Sequence, residues 1–287
     1  MRVLAFDTSN YTTSVASFDG TEGHNISRLL DVEQGALGLR QSDALFAHVK
    51  RLPELADRLF SDIGTDAGFE AVGVSTRPRA VEGSYMPCFL AGESQARVLG
   101  AALGVPVLPF SHQQGHIAAS LWGSGHMELM DEPHLAWHLS GGTTDISAGQ
   151  LIDRTGKLLG LPFPSGKHID ALSRSAQDRQ VFRVKVQGTT FSLSGVQNKV
   201  EQYHAAGNSP EETAGYVLRC LIGAIVRATE NALLEYPGSS VVFAGGVASN
   251  TLLRSSCAAL PAIFCPPQFA TDNALGVAVL TWRALHG

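Results

Sequence analysis

The feature that most constrains this chain is that it opens twice in the same way. Arg2–Asp7 is a short β-type run that feeds the polar turn Thr8-Ser9-Asn10-Tyr11-Thr12-Thr13. His134–Leu139 is a second such run and feeds Ser140-Gly141-Gly142-Thr143-Thr144. A strand ending in a turn of hydroxyls and glycines presents free backbone N–H groups at its tip. Two such openings predict two α/β lobes facing each other across a cleft. A chain of 287 residues has room for both, since one core seldom grows past about 250–300 residues. The expected first lobe is 1–105 plus 274–287, and the second, carrying the metal and nucleotide site, is 106–273.

Between these landmarks the periodicity supports an alternating order. Ser14–Phe18 reads as a strand that closes a hairpin with the first. Leu45, Val49, Leu52, Leu55 and Leu59 place a helix over Ser42–Phe60. A strand at Glu70–Ser75, a small-residue helix at Phe89–Leu103 and a strand at Val105–Pro109 follow. After the second opening, helices are expected at Ala148–Leu159, Ile169–Ala176 and Glu211–Leu234. A strand at Ser240–Ala244 meets Gly245-Gly246. A helix over Val247–Leu260, a short strand at Ile263-Phe264 and a last helix over Asp272–Leu285 complete the chain.

Three segments can carry chemistry. In Ser111-His112-Gln113-Gln114-Gly115-His116, helical i, i+4 spacing sets two imidazoles on one face, close enough to share a metal ion. The same segment also reads as a helix N-terminus with one histidine capping and one packed inside. Asp272 is available as a third hard ligand, but taken alone its position at a helix start favours a cap that accepts backbone N–H groups. The turns Ser140-Gly141-Gly142 and Gly245-Gly246-Val247 follow strands and leave backbone N–H groups open to phosphate. No G-x-x-x-x-G-K-[ST] or G-x-G-x-x-G stretch occurs, so neither a P-loop nor a standard dinucleotide turn is expected. Phe191–Asn198 reads as a loop capping a helix.

Hydrophobic residues make up 44% of the chain and charged residues 16%, as in a well-buried globular protein. A net charge of −5 excludes wrapping nucleic acid by charge alone. Cys88, Cys220, Cys257 and Cys265 form no C-x-x-C pair and read as reduced core thiols. Met1-Arg2 runs straight into a strand and no apolar stretch reaches about 20 residues, so a cytoplasmic protein with no membrane span is expected.

Taken in order, the motifs resemble the TsaD-type, or glycoprotease, family, which installs threonylcarbamoyl on the adenosine beside the tRNA anticodon. Phe6-Asp7-Thr8-Ser9 is similar to that family's opening, His112–His116 to its H-x-E-G-H, and Ser140–Thr143 to its S-G-G-H-T. Gly149–Leu161, Pro164-Ser165-Gly166, Phe191–Gly195, Gly245–Asn250 and Thr271–Ala274 match its later motifs nearly end to end. The resemblance implies the actin, Hsp70 and sugar-kinase (ASKHA) fold, α/β with a central cleft. It implies His112, His116 and Asp272 as ligands of one divalent ion, Fe or Zn. It implies Ser9, Leu139, Ser140, Gly141, Gly142, Asp153, Gly166 and Asn250 as the grip on an adenine nucleotide or acyl-adenylate, with Asp153 accepting from the ribose hydroxyls. Implied partners are tRNA, bound through a complex, and proteins of the TsaB or TsaE kind.

The chain departs from the family pattern in places. Asn10-Tyr11-Thr12-Thr13 replaces an acidic stretch, Gln114 replaces a glutamate, and Thr143 replaces a histidine. The stretch after Ser75 lacks the expected glycines, and the segment between Thr143 and Ala148 is shorter by roughly a hairpin. These departures read as a divergent paralogue. They leave two functions to weigh: threonylcarbamoyl or related carbamoyl transfer to tRNA, and a non-catalytic nucleotide-binding scaffold or regulator. A metallopeptidase is disfavoured, because Gln113 stands where a zincin carries its general-base glutamate.

Overall fold

A computed structural model describes residues 1–9, 11–32, 39–64, 68–139 and 146–287. The strands are β1 (Arg2–Asp7), β2 (Thr12–Phe18), β3 (Gly23–Leu29), β4 (Phe69–Arg77), β5 (Val107–Ser111), β6 (Leu135–His138), β7 (Val186–Gln187), β8 (Thr190–Phe191), β9 (Val241–Ala244) and β10 (Ala262–Phe264). The helices are α1 (Gln41–Ile63), α2 (Leu90–Leu103), α3 (His112–Ser124), α4 (Ala148–Leu158), α5 (Gly166–Ser173), α6 (Ser194–Ala205), α7 (Pro210–Glu235), α8 (Thr251–Ser256), α9 (Pro267–Ala270) and α10 (Leu275–His286). The chain divides into two compact units.

The first unit comprises Met1–Asp31, Gly38–Asp131 and Gln268–Gly287. Its sheet runs β3-β2-β1-β4-β5, antiparallel from β3 to β1 and parallel from β1 to β5. Strand side chains alternate between faces, and β1 buries both sets. Leu4 and Phe6 join a core with Leu52, Leu55 and Leu59 of α1 and Ala91 and Ala96 of α2. Val3 and Ala5 join the opposite core, with Ala118 of α3 and Leu275, Val277 and Ala278 of α10. A strand covered on both sides must be apolar throughout, which is why Val3 to Phe6 shows no polar alternation.

Helices α3 and α10 pack closer than side chains would allow. A Cβ on Gly276 would lie 1.8 Å from the Gly115 carbonyl oxygen and 2.9 Å from the Ala119 nitrogen. Only a residue without a Cβ fits there, so the backbones touch. The start of α10 is pinned as well: the Ala274 N–H donates to Ser14 Oγ at 2.7 Å and to Asn25 Oδ1 at 3.1 Å.

The second unit is built on Glu132–Pro267. Its main sheet, β10-β9-β6, is parallel throughout, and β7 and β8 form a small hairpin. Helix α7 is its spine. The Ser209 hydroxyl caps it by accepting the Glu212 N–H, and Pro210 stands at its first position, where no N–H is needed. Val217, Leu221 and Ile225 of α7 share one core with Leu151, Ile169, Val196 and the fully buried Phe243 of β9.

The structure departs from expectation at several points. The unit boundary falls at 131/132 and 267/268 rather than at 105/106 and 273/274, because α3 packs on α10 and the first sheet. His112, His116 and Asp272, the residues expected to bind metal, therefore belong to the first unit. A third strand before the first helix, for which the sequence set no bounds, is β3 at Gly23–Leu29. One helix over Val247–Leu260 is instead a 3-10 turn at Gly246–Ser249 followed by α8, because Asn250 is extended (ψ 130°) and caps the new helix. The four cysteines are buried and none is in a disulfide. Among the described residues no helix is long and apolar enough to cross a membrane.

Candidate functional site

The two histidines and the distant aspartate meet within the first unit. Helix α3 begins at His112, capped by Ser111, whose Oγ accepts the Gln114 N–H at 3.2 Å while Gln114 Oε1 accepts the Ser111 N–H at 2.9 Å. This is a capping box, and glutamine performs it as well as glutamate. The carboxylate missing at position 114 is thus missing from a cap. With the helix start fixed, His112 and His116 project one turn apart, and their Nε2 atoms lie 2.9 Å from each other. Asp272 Oδ1 lies 3.1 Å from His116 Nε2 and 3.5 Å from His112 Nε2.

Asp272 does not cap a helix, since α10 starts only at Leu275. Asn273 takes that part: its Oδ1 accepts the Gly276 N–H at 3.3 Å, and its amide nitrogen donates to the Phe269 and Thr271 carbonyls. The loop is held from both sides, and the Asp272 carboxylate is left to face the imidazoles.

Sequence reasoning passed over the fourth member of this group. Asp7, 1% exposed at the end of β1, places Oδ2 2.8 Å from His112 Nδ1. Its other oxygen accepts the Ser9 N–H at 2.8 Å. With Nδ1 turned to Asp7, His112 directs Nε2 toward His116 and Asp272. A carboxylate behind a histidine fixes its tautomer in this way. The signal was an aspartate ending a strand directly after the apolar run Val3–Phe6.

The charges are tightly coupled. Burial disfavours a charged His112, but Asp7 and Asp272 outweigh it and raise its pKa to about 10. Burial and the neighbouring His112 both push His116 down. Burial would raise the Asp272 carboxyl, yet its hydrogen bonds and charge interactions with His112 and His116 hold it far below the usual range. Asp7 is likewise lowered, by His112 acting against burial.

The hydroxyls of the first turn are mostly engaged. Thr8 Oγ1 donates to the Cys88 carbonyl at 3.0 Å, and Thr13 Oγ1 pairs with His48 Nδ1 at 2.8 Å. Ser9 Oγ is buried with no hydrogen-bond partner among the described residues.

The residues expected to hold nucleotide lie in the second unit. The Leu139 N–H is bonded to the Ala244 carbonyl at 2.9 Å; Ser140, Gly141 and Gly142 lie outside the described residues, as does Thr143. Asp153, on α4, is half-buried rather than a solvated surface charge, and its Oδ1 accepts the Ser165 N–H at 2.8 Å. Burial raises its pKa. Gly166 opens α5, with open space where a Cβ would stand. Asn250 is engaged at both ends of its amide: Oδ1 accepts the Leu253 N–H at 3.0 Å, and Nδ2 donates to Asp170 Oδ1 at 2.9 Å. The same Asp170 oxygen accepts from the Thr251 N–H and Oγ1. This knot ties α5 to the start of α8. Gly245 has φ +92°, where L side chains are strained, and a Cβ on Gly246 would meet nothing within 4 Å. The strand therefore ends in an open backbone turn.

The family model for TsaD, tRNA N6-adenosine threonylcarbamoyltransferase, matches residues 38–279. The chain belongs to the TsaD family. A tRNA N6-adenosine threonylcarbamoyltransferase of Carboxydothermus hydrogenoformans is 30% identical over 99% of this chain and 93% of its own length. One from Streptococcus suis is 30% identical over 78% of this chain and 77% of its own. Among solved structures, full-length HypF in its phosphate- and nucleotide-bound form aligns at TM-score 0.62 and 12% identity over 99% of this chain, which spans 56% of that longer one. The ethanolamine utilization protein EutJ of C. hydrogenoformans aligns at 0.51 and 12%, over 97% of this chain and 89% of its own. At such identity these likenesses speak to fold. Both units of this TsaD-family chain are α/β, of the actin, Hsp70 and sugar-kinase class.

Proposed function

We propose that this chain transfers a threonylcarbamoyl group from an acyl-adenylate to the adenosine amine of tRNA, with one divalent ion, Fe or Zn, held by His112, His116 and Asp272. Membership of the TsaD family supports the reaction class. The observation that carries the reading is the convergence of two Nε2 atoms and one carboxylate oxygen, mutually 2.9 to 3.5 Å apart, in a buried setting. Ligand bonds of about 2.0–2.1 Å in tetrahedral array put neighbouring donor atoms about 3.3 Å apart. The donor set therefore fits such an ion, and the aspartate and neutral imidazole suit either metal.

The bound ion would supply a Lewis acid to polarise the carbamoyl carbonyl. Asp7 holds the His112 ring in its donor orientation. The open turn at Gly245-Gly246 offers N–H groups to the adenylate phosphate. Asp153 has its second oxygen available for ribose hydroxyls, and the Asp170–Asn250–Thr251 knot keeps the turn in place. In the transfer, the adenosine nitrogen bonds to the carbamoyl carbon, that carbon's bond to the phosphate oxygen breaks, AMP departs, and the amine proton passes to solvent. A chain of net charge −5 holds tRNA more firmly with a second protein. A TsaB- or TsaE-like partner fits that role, and exposed Phe46 and Val49, one turn apart on α1, offer an apolar strip for a protein contact.

The test is purified protein, wild type and Asp272→Ala, assayed for metal content, for binding of a stable threonylcarbamoyl-adenylate analogue and for tRNA modification with the partner present. Stoichiometric metal and turnover in the wild type, both lost in the variant, are expected. Analogue binding with no turnover in the wild type would turn the reading into that of a scaffold.

A further inference from the structure

The second unit contains a recess of about 450 Å³ that the nucleotide reading does not use. Its polar lining is Arg183, Lys185, Arg227, Asn231 and one carboxylate, Glu230. The local sequence explains the placement. Val184 is buried in the core and Val186 packs on it, so the alternate side chains, Arg183 and Lys185, are turned outward and exposed. Neither has an ion-pair or hydrogen-bond partner among the described residues. Arg227 of α7 donates from Nη2 to the Val184 carbonyl at 2.9 Å, and Asn231, one turn later, donates to the Gly188 carbonyl at 2.7 Å. The helix side of the recess is therefore fixed before anything binds.

Charge along the sequence is uneven over the stretch that supplies Arg183 and Lys185. Positions 150–200 hold eight Lys or Arg against three Asp, a net of +5, in a chain whose total is −5. The remaining positions are then at −10. A polyanion meets net repulsion from such a chain and can be held only where cations are concentrated. The recess is open, its cations stand on a segment and a helix side, and the residues that line it include no glycine. That suits a continuous backbone passing across better than a small anion, which would need a ring of N–H groups.

We propose that the Arg183–Lys185–Arg227 recess docks the phosphodiester backbone of the tRNA acceptor. This rests on the reading of tRNA as acceptor given above. Its contacts are to phosphates, so it positions the RNA and reads no sequence.

The experiment uses the full chain, wild type and Arg183→Ala/Lys185→Ala, with unmodified tRNA. Affinity is measured by fluorescence anisotropy over a range of salt, and reactivity of Lys185 to an amine-labelling reagent is measured with and without tRNA. Loss of two phosphate contacts should flatten the slope of log affinity against log salt by about 1.5 and weaken binding about tenfold or more near 0.1 M salt. Transfer RNA should protect Lys185 in the wild type, and AMP should not. An unchanged slope, wild-type protein that binds no tRNA, or protection by AMP equal to that by tRNA overturns the proposal. A flattened slope in a protein without transfer activity supports the recess and sinks the transferase reading; an unchanged slope in an active one does the reverse.

Discussion

The two units share a plan and differ in what has been added to it. In the first, β1-β4-β5 are parallel neighbours; in the second, β6-β9-β10 are parallel neighbours in the same order. In the first, 33 residues separate β1 from α1 and hold β2 and β3, whereas only nine separate β6 from α4. As a result β1 is central and covered on both faces, and the carboxylate at its end is 1% exposed. β6 ends the described sheet, with its residues half-buried or exposed. A charge that must be buried and aimed is found where the sheet is extended. The groups proposed to meet a ligand or RNA are found where it is not.

The difference can be tested with two small residues. Gly276→Ala puts a methyl group 1.8 Å from a carbonyl oxygen on α3. It should destabilise the protein by about 3 kcal/mol or more and abolish metal retention although no donor is touched, as thermal unfolding and metal analysis would reveal. Asp272→Ala should leave the fold intact yet lower metal affinity by at least about a hundredfold, read by competition with a chelator. Asp7→Asn keeps the size and loses the charge behind His112; a loss of about 10- to 100-fold in metal affinity is expected, and a value matching the wild type would show that Asp7 orients nothing.

The metal-free protein carries its own signature in pH. The His112 pKa is raised from 6.5 to about 10 in the folded state. Its contribution is thus fully present below about pH 6.5 and is lost as pH rises through about 10. Urea midpoints in chelator should fall across that window, and fall less in Asp7→Asn. The smallest effect is expected at the second unit's turn. Gly246→Ala meets no atom within 4 Å, so stability should change by less than about 0.5 kcal/mol, while adenylate-analogue binding weakens in calorimetry. Equal destabilisation by the two glycine substitutions would erase the contrast between the units.

Much of this was legible in the residues. The apolar run of β1, the spacing of Leu52, Leu55 and Leu59 in α1, and the i, i+4 histidines are local signals, and each appears in place. The bounds of strand β3 were not legible, because Gly-His-Asn-Ile-Ser-Arg-Leu is a partly exposed edge strand with no apolar alternation. Asp272 looked like a cap because the choice between a cap and a ligand lies in loop geometry, and that geometry is fixed by Asn273. Asp7 was missed for a related reason: its partner is 105 positions away. The unit boundary was misjudged because the packing of α3 on α10 is a long-range event that leaves only two glycines as its trace.

Those two glycines govern more than packing. Where peptide groups of neighbouring helices abut, no rotamer can take up slack if one helix slides along the other. The gap between the two imidazoles and the carboxylate is then gauged by main-chain atoms, as jaws set a caliper. A chain that kept both imidazoles and the distant carboxylate but gained a single methyl group at position 276 would retain every side chain of the cluster and lose the point at which they meet.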